Sequence, residues 1–179
     1  DLFEAGHVGA CFRLKHEETW GYVEISAVTN ATTASATVKK ELGGTKPTPH
    51  WREGAFSTKN GWPAAIAFHE QSLWLAATAA DPQTVWRSVV ADYENMAPGT
   101  NADDGLSYRI ASERVNTIRW LSSMDNLIAG TVNGEWRLGP QDADQPIKPE
   151  NIKITQQSAY GSADIQPINL RNAILFVQR

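Results

Sequence analysis

A period near fifty residues, carried by short apolar strand-like segments, restricts most strongly what this chain folds into. Ile66-Ala67-Phe68 leads through a polar turn to residues 73–78, residues 118–121 lead to 127–131, and Ile168-Asn169-Leu170 leads to 174–177. The three opening isoleucines stand 52 and 50 positions apart, and the doublets Trp86-Arg87 and Trp136-Arg137 stand 50 apart. Short strands at such a period, with one aromatic at a fixed place in each unit, fit propeller blades rather than a helical solenoid. One three- or four-stranded blade cannot bury both of its faces, so each must be covered by a neighbour. Closure takes roughly four to eight blades. Residues 46–179 supply about two, plus part of a third.

The chain before the repeat reads differently. Residues 8–14, 21–28 and 32–42 each alternate with period two, so residues 1–45 are expected to form a small β-sheet or half-barrel. Leu2-Phe3, between Asp1 and Glu4, fits a short helical turn against it. The stretch 43–49, Gly-Gly-Thr-Lys-Pro-Thr-Pro, has the composition of a linker and marks the expected boundary. Within the repeat, residues 82–93 also fit a helix with Pro82 in its first turn. The Trp-Arg register instead makes Val85-Trp86-Arg87-Ser88 a strand, and that reading is preferred. Ser107 to Ala111 is a further strand, while 96–105 and 139–150 are loops. The fold class expected is therefore all-β. Asp1 is not a methionine, and the chain stops just after the strand-like run Ala-Ile-Leu-Phe-Val-Gln, so a fragment of a longer chain is expected.

Composition narrows the function. Apolar residues make up 41% of the 179, seven of them Trp, which is too rich for a disordered chain. The net charge of -4, from 16 basic and 20 acidic residues without long runs, gives no reason to expect an extended nucleic-acid-binding surface. Cys11 is the sole cysteine, so neither an internal disulfide nor a multi-cysteine metal site is available, and it reads as a small buried hydrophobe. No apolar stretch approaches the roughly 18 residues of a membrane span, and the N-terminus lacks a signal-peptide pattern.

Several phrases in the repeat carry a resemblance. Trp51-Arg52-Glu53-Gly54-Ala55-Phe56-Ser57, Gly61-Trp62-Pro63, Pro82-Gln83-Thr84-Val85-Trp86, Ile118-Arg119-Trp120-Leu121, the run from Ala129 to Trp136, and Tyr160-Gly161-Ser162-Ala163 resemble a family of tailed-phage and prophage structural proteins. These are similar to the tail tubular protein B, or nozzle, of short-tailed phages. The resemblance implies β-propeller and small barrel-like domains and a ring of copies that extends the tail tube. Neighbouring tail proteins are the implied partners, with contact to translocating DNA in the full assembly. It further implies a place in the virion tail, reached from the bacterial host cytoplasm, and no catalytic residues.

The residues themselves offer little chemistry. His7, His16, His50 and His69 show no metal-ligand spacing, and only His69 has an adjacent carboxylate, Glu70; it reads as a turn histidine exposed to solvent. Asp103-Asp104 and Asp142 with Asp144 read as acidic loops or a chance cation site. Ser162 lacks the second glycine of a nucleophile elbow. No catalytic, cofactor or metal residues are therefore assigned, and the chain is read as non-enzymatic. Trp74, Trp86, Trp120 and Trp136 are expected in the core between blades. Trp20, Trp51 and Trp62 lie near turns or the boundary and are candidates for packing or a partner interface. Three functions stay open at this point. A structural tail component leads. A carbohydrate- or receptor-binding module predicts an exposed aromatic cluster with nearby Asp or Asn. A polysaccharide-degrading enzyme predicts two carboxylates facing across a cleft.

Overall fold

The computed structural model describes residues 2–111, 115–142 and 144–179, and among these the chain is all-β, with fourteen strands, one 3-10 turn and no α-helix. It divides into two compact units, Asp1–Trp62 and Pro63–Arg179.

The first unit is one open four-stranded antiparallel sheet. Its strands are β1 (Cys11–His16), β2 (Thr19–Asn30), β3 (Thr33–Lys40) and β4 (Trp51–Glu53), in the order β3-β2-β1-β4. Alternation sends Phe12, Val23 and Ile25 to one face, where they bury with Ala10 beneath Phe3, Leu14 and Leu42. The short helical turn lies at Ala5–His7, just past Leu2-Phe3. The Gly-Pro stretch 43–49 is not the boundary. It is a loop within the sheet, because β4 returns beyond it to pair with β1, Leu14 opposite Trp51 and Phe12 opposite Glu53. Composition marked a bend correctly but could not reveal the long-range pairing that pulls residues 46–62 into the first unit.

The second unit holds two four-stranded meanders and a hairpin. Sheet I consists of β5 (Ala65–His69), β6 (Ser72–Ala76), β7 (Thr84–Arg87) and β8 (Leu106–Arg109), paired in chain order. Sheet II consists of β9 (Ile118–Ser123), β10 (Leu127–Thr131), β11 (Gly134–Pro140) and β12 (Ile152–Ser158), also in chain order. Hairpin III is β13 (Ile168–Leu170) with β14 (Ala173–Leu175). Thr84–Arg87 is thus a strand and not a helix. β12 carries the apolar pair Ile152 and Ile154 within a polar strand, and so gave no clear alternation to read.

Period-two alternation gives each sheet a forward face and a rear face. Ala65, Ala67, Trp74, Ala76 and Val85, on the forward face of sheet I, pack into one core with Ile118, Leu121, Leu127, Ala129 and Leu138 of sheet II. The opposite, forward face of sheet II meets hairpin III. The Trp120 ring lies 5.8 Å from that of Phe176, and the Ser122 hydroxyl donates to Asn169 Oδ1 at 2.7 Å. The sequence register survives in this stack where it can be compared. Ile66 and Ile118 both point rearward, as do Trp86, opposite Leu75, and Trp136, opposite Ala129. Ile118 is fully buried because sheet I lies behind it, whereas Ile66 is exposed. The third isoleucine slips: Ile168 faces forward, opposite Leu175. Turns of two residues close sheet I and hairpin III, but the β9–β10 turn has three and its ladder is bulged at Gly130/Thr131. One residue of slip reverses the face.

Trp120 fits because Gly130 opposite it has no side chain; a Cβ there would sit 2.0 Å from the indole. Gly130→Ala is expected to lower stability by about 1–3 kcal/mol through overpacking, read as an earlier urea midpoint at unchanged slope. An unchanged midpoint would show that the indole is free to move aside.

Candidate functional site

A concavity of the second unit with polar walls gathers around Arg87, at the end of β7. Arg87 is buried, and its guanidinium ties separate loops together. Nη1 donates to the Ile147 carbonyl at 2.6 Å, while Nη2 donates to the Ala102 carbonyl at 3.2 Å and to the Asp104 carbonyl. Nε is buried without a hydrogen-bond partner. Burial pushes the guanidinium pKa down, against the opposing pull of Glu70, Asp103 and Asp104. Beside it opens a cleft of about 500 Å³ whose walls include Glu70, Gln71, Asp103, Asp144 and Ile147.

Local backbone chemistry builds this wall. Glu70 and Gln71 form the two-residue turn between β5 and β6 with φ of 47° and 56°, a left-handed conformation that costs non-glycine residues roughly 1–2 kcal/mol each. The turn is held from outside: Glu70 Oε2 accepts from the Ile147 N–H at 2.8 Å, and the Ala91 N–H donates to the Gln71 carbonyl at 2.9 Å. Asp104 Oδ2 accepts from the Asn101 N–H at 2.9 Å, and Asp142 pairs with Gln145. The two acidic loops therefore meet at one cleft, as their separation in sequence gave no reason to expect. No group of three or more His, Cys, Asp or Glu placed to hold a metal exists among the described residues. Among the described residues, no aromatic side chain and no serine, cysteine or histidine lines the cleft. Its chemistry is that of a brace: the Arg87 guanidinium and the Glu70 carboxylate hold loops 101–105 and 144–147 against sheet I.

Two further polar braces escaped the sequence reading. Buried Glu135, on β11, accepts from Ser162 Oγ at 2.7 Å and from Ser158 Oγ, so Ser162 anchors a turn. In the first unit, buried His7 accepts the Glu4 N–H on Nδ1 at 2.9 Å, while its Nε2 lies 3.4 Å from Glu53 and 3.0 Å from Lys59 Nζ. Glu53 and Lys59 lie about fifty residues along the chain from His7, and nothing local in the sequence signals the meeting.

His69 corrects an expectation. It is buried, not exposed, and its Nδ1 lies 2.9 Å from Ser123 Oγ, joining the ends of β5 and β9. The turn is tighter than its polarity suggested, and sheet II covers the ring. Burial lowers the His69 pKa, opposed by Glu70, whose carboxylate is 3.9 Å away. The tryptophans separate as well. Trp74 and Trp120 are fully buried, Trp86 is buried and Trp136 is half-buried. Trp20 is partly covered by Arg13, whose guanidinium carbon lies 4.9 Å from the ring centre. Trp51 is exposed at its edge and touches Phe12, with centroids 5.9 Å apart. Trp62 is 62% exposed. None of these three lies at the polar cleft.

No protein-family model matches the chain, and no curated protein matches it either.

Two measurements follow from this geometry. Because the folded-state pKa of His69 is depressed, its contribution to stability is complete above the ordinary value of 6.5 and is lost as pH falls through the folded value. The unfolding midpoint should fall below about pH 6.5, and His69→Gln should flatten that part of the profile; an equal slope in the variant would refute the assignment. Arg87→Ala should cost about 3 kcal/mol or more, since it strips three carbonyls of their donor, and should expose loop 101–105 to protease. Retained resistance and stability would show that the brace is dispensable.

Proposed function

We propose that the chain is a non-catalytic structural component of a phage or prophage tail, built from propeller-like blades and working through contacts with copies of itself and neighbouring tail proteins. The observation that carries this reading is apolar. Ile66 and Phe68 of β5, and Ile168, Leu170 and Leu175 of hairpin III, are all exposed. Contiguous apolar surface of this kind belongs under a partner. The meander order of sheets I and II, stacked face to face, supports the propeller-like form. The phrases that resemble those of tail tubular proteins support the tail assignment and its ring of copies. No helix among the described residues is long and apolar enough to cross a membrane.

The glycan-directed readings draw less support. Binding a sugar by stacking needs an exposed aromatic beside polar groups, whereas the cleft of carboxylates has no aromatic wall and Glu70 is committed to the Ile147 N–H.

Antibodies raised against the chain and gold-labelled should decorate the tails of phage particles from the source strain in electron micrographs. Unlabelled particles, or release of reducing sugar ends from host surface polysaccharide by the purified protein, would contradict the reading.

A further inference from the structure

Arg87 and Arg137 hold the same place in the two meanders. Each follows a rear-facing Trp on the third strand of its sheet, so each sends its side chain forward, Arg87 opposite Trp74 and Arg137 opposite Ile128. Their surroundings differ. Arg87 is fully buried and donates to the carbonyls of Ala102, Asp104 and Ile147. Arg137 is half-buried, its Nε is shut off from solvent without an acceptor, and its guanidinium makes no hydrogen bond or ion pair among the described residues. The acid on its own strand, Glu135, is already engaged by Ser158 and Ser162. The opposite residues follow suit: Trp74 is fully buried, whereas Ile128 is only half-buried.

Hairpin III covers the forward face of sheet II at Trp120 and Ser122 of β9. Farther out, Arg137 stands opposite Thr155 and Gly139 opposite Lys153, and both β12 residues are exposed. A cation drawn partly out of water without an acceptor costs free energy that an arriving acceptor returns. Arg87 shows what such an acceptor is. Its guanidinium is filled by main-chain carbonyls of the loops that join third to fourth strands, 88–105 in sheet I and 141–151 in sheet II. Both loops are acidic, with Asp103 and Asp104 on one and Asp142 on the other. Both are also spent at Arg87, and Ile147 is tied further through its N–H to Glu70. A second folded copy therefore has neither loop to give.

We infer that the outer forward face of sheet II, with Arg137 at its centre and Ile128, Lys153 and Thr155 around it, docks an acidic loop of a separate partner protein. Main-chain carbonyls of that loop accept from the Arg137 guanidinium as those of Ala102, Asp104 and Ile147 accept from Arg87. The loop's carboxylates lie toward Lys153, and its apolar residues toward Ile128. The planar fork of a guanidinium serves several carbonyls at once, which an ammonium at the same place would not do as well. The inference rests on the internal repeat and on the unmet guanidinium, not on the tail assignment or on the exposed apolar residues.

Nuclear magnetic resonance of the arginine Nε–H groups in the whole, nitrogen-15-labelled chain tests it. The probe is a synthetic peptide with the sequence of residues 140–150, which when free offers an acidic loop and its carbonyls. The Arg137 signal, assigned by its loss in Arg137→Gln, should move and saturate as peptide is added, while that of Arg87 stays in place. Backbone amide shifts in β10 to β12 should show binding at least tenfold weaker to Arg137→Gln, with circular dichroism reporting whether the variant keeps its fold. An Arg137 signal that does not move overturns the inference, as does undiminished binding by Arg137→Gln. So does sulfate that moves the signal equally and displaces the peptide, which would mark an anion site only. So does a signal that moves on concentrating the chain alone, which would make the partner a second copy. None of these outcomes touches the labelling of phage tails, which stands or falls separately.

Discussion

The face-to-face packing of sheet I on sheet II is the contact on which the second unit depends. Neither sheet has a core of its own. Trp74, Ala76 and Val85 bury in one cluster with Ile118, Leu121, Leu127 and Leu138 across the interface. A buried aromatic of the size of Trp74 removes roughly 150–250 Å² from water, about 4–6 kcal/mol at 25 cal/mol per Å². A typical hydrogen bond contributes about 1 kcal/mol net. The interface therefore decides which way every other strand faces. His69, Arg87 and Glu70 then secure its margins: the imidazole meets Ser123, and both charged groups hold the backbone of Ile147, itself buried against the same core.

This dependence explains how much was legible in the sequence. Strands such as β1 and β2 alternate because one face of each is buried, so they could be read from the pattern; β6 and β10 showed as short apolar runs in the repeat, and the strand at Trp86 followed from its partner at Trp136. The division into units could not, because it turns on the pairing of Trp51 with Leu14, a contact across a loop with no local signature. The third register mark failed for a geometric reason: a three-residue turn and a bulge in sheet II shift the count by one, and the count alone cannot see which face a residue takes. The turn at Glu70-Gln71 was hidden too. Its backbone is left-handed without the glycine or asparagine that usually announces it, and its neighbours hold it there.

The polar groups singled out by type proved uninformative about chemistry, and the structure shows why. Asp103, Asp104, Glu135, Ser162 and His69 each have an identified structural partner or lie against Arg87. Their polarity is consumed in joining loops to sheets. Among the described residues of the second unit, Ile66, Phe68, Ile168, Leu170 and Leu175 leave apolar side chains exposed. The proposed structural role rests on that imbalance, and its proposed setting rests on the phrases that resemble those of tail proteins.

Truncating Leu121, on the sheet II side of the shared core, reaches the central claim most directly. If the two sheets have one core between them, Leu121→Ala should lower stability by about 2–5 kcal/mol and speed amide exchange in β5 to β7 of sheet I as much as in β9 to β11 of sheet II. Faster exchange confined to sheet II, with sheet I unchanged, would contradict the account, since each sheet would then hold a core of its own.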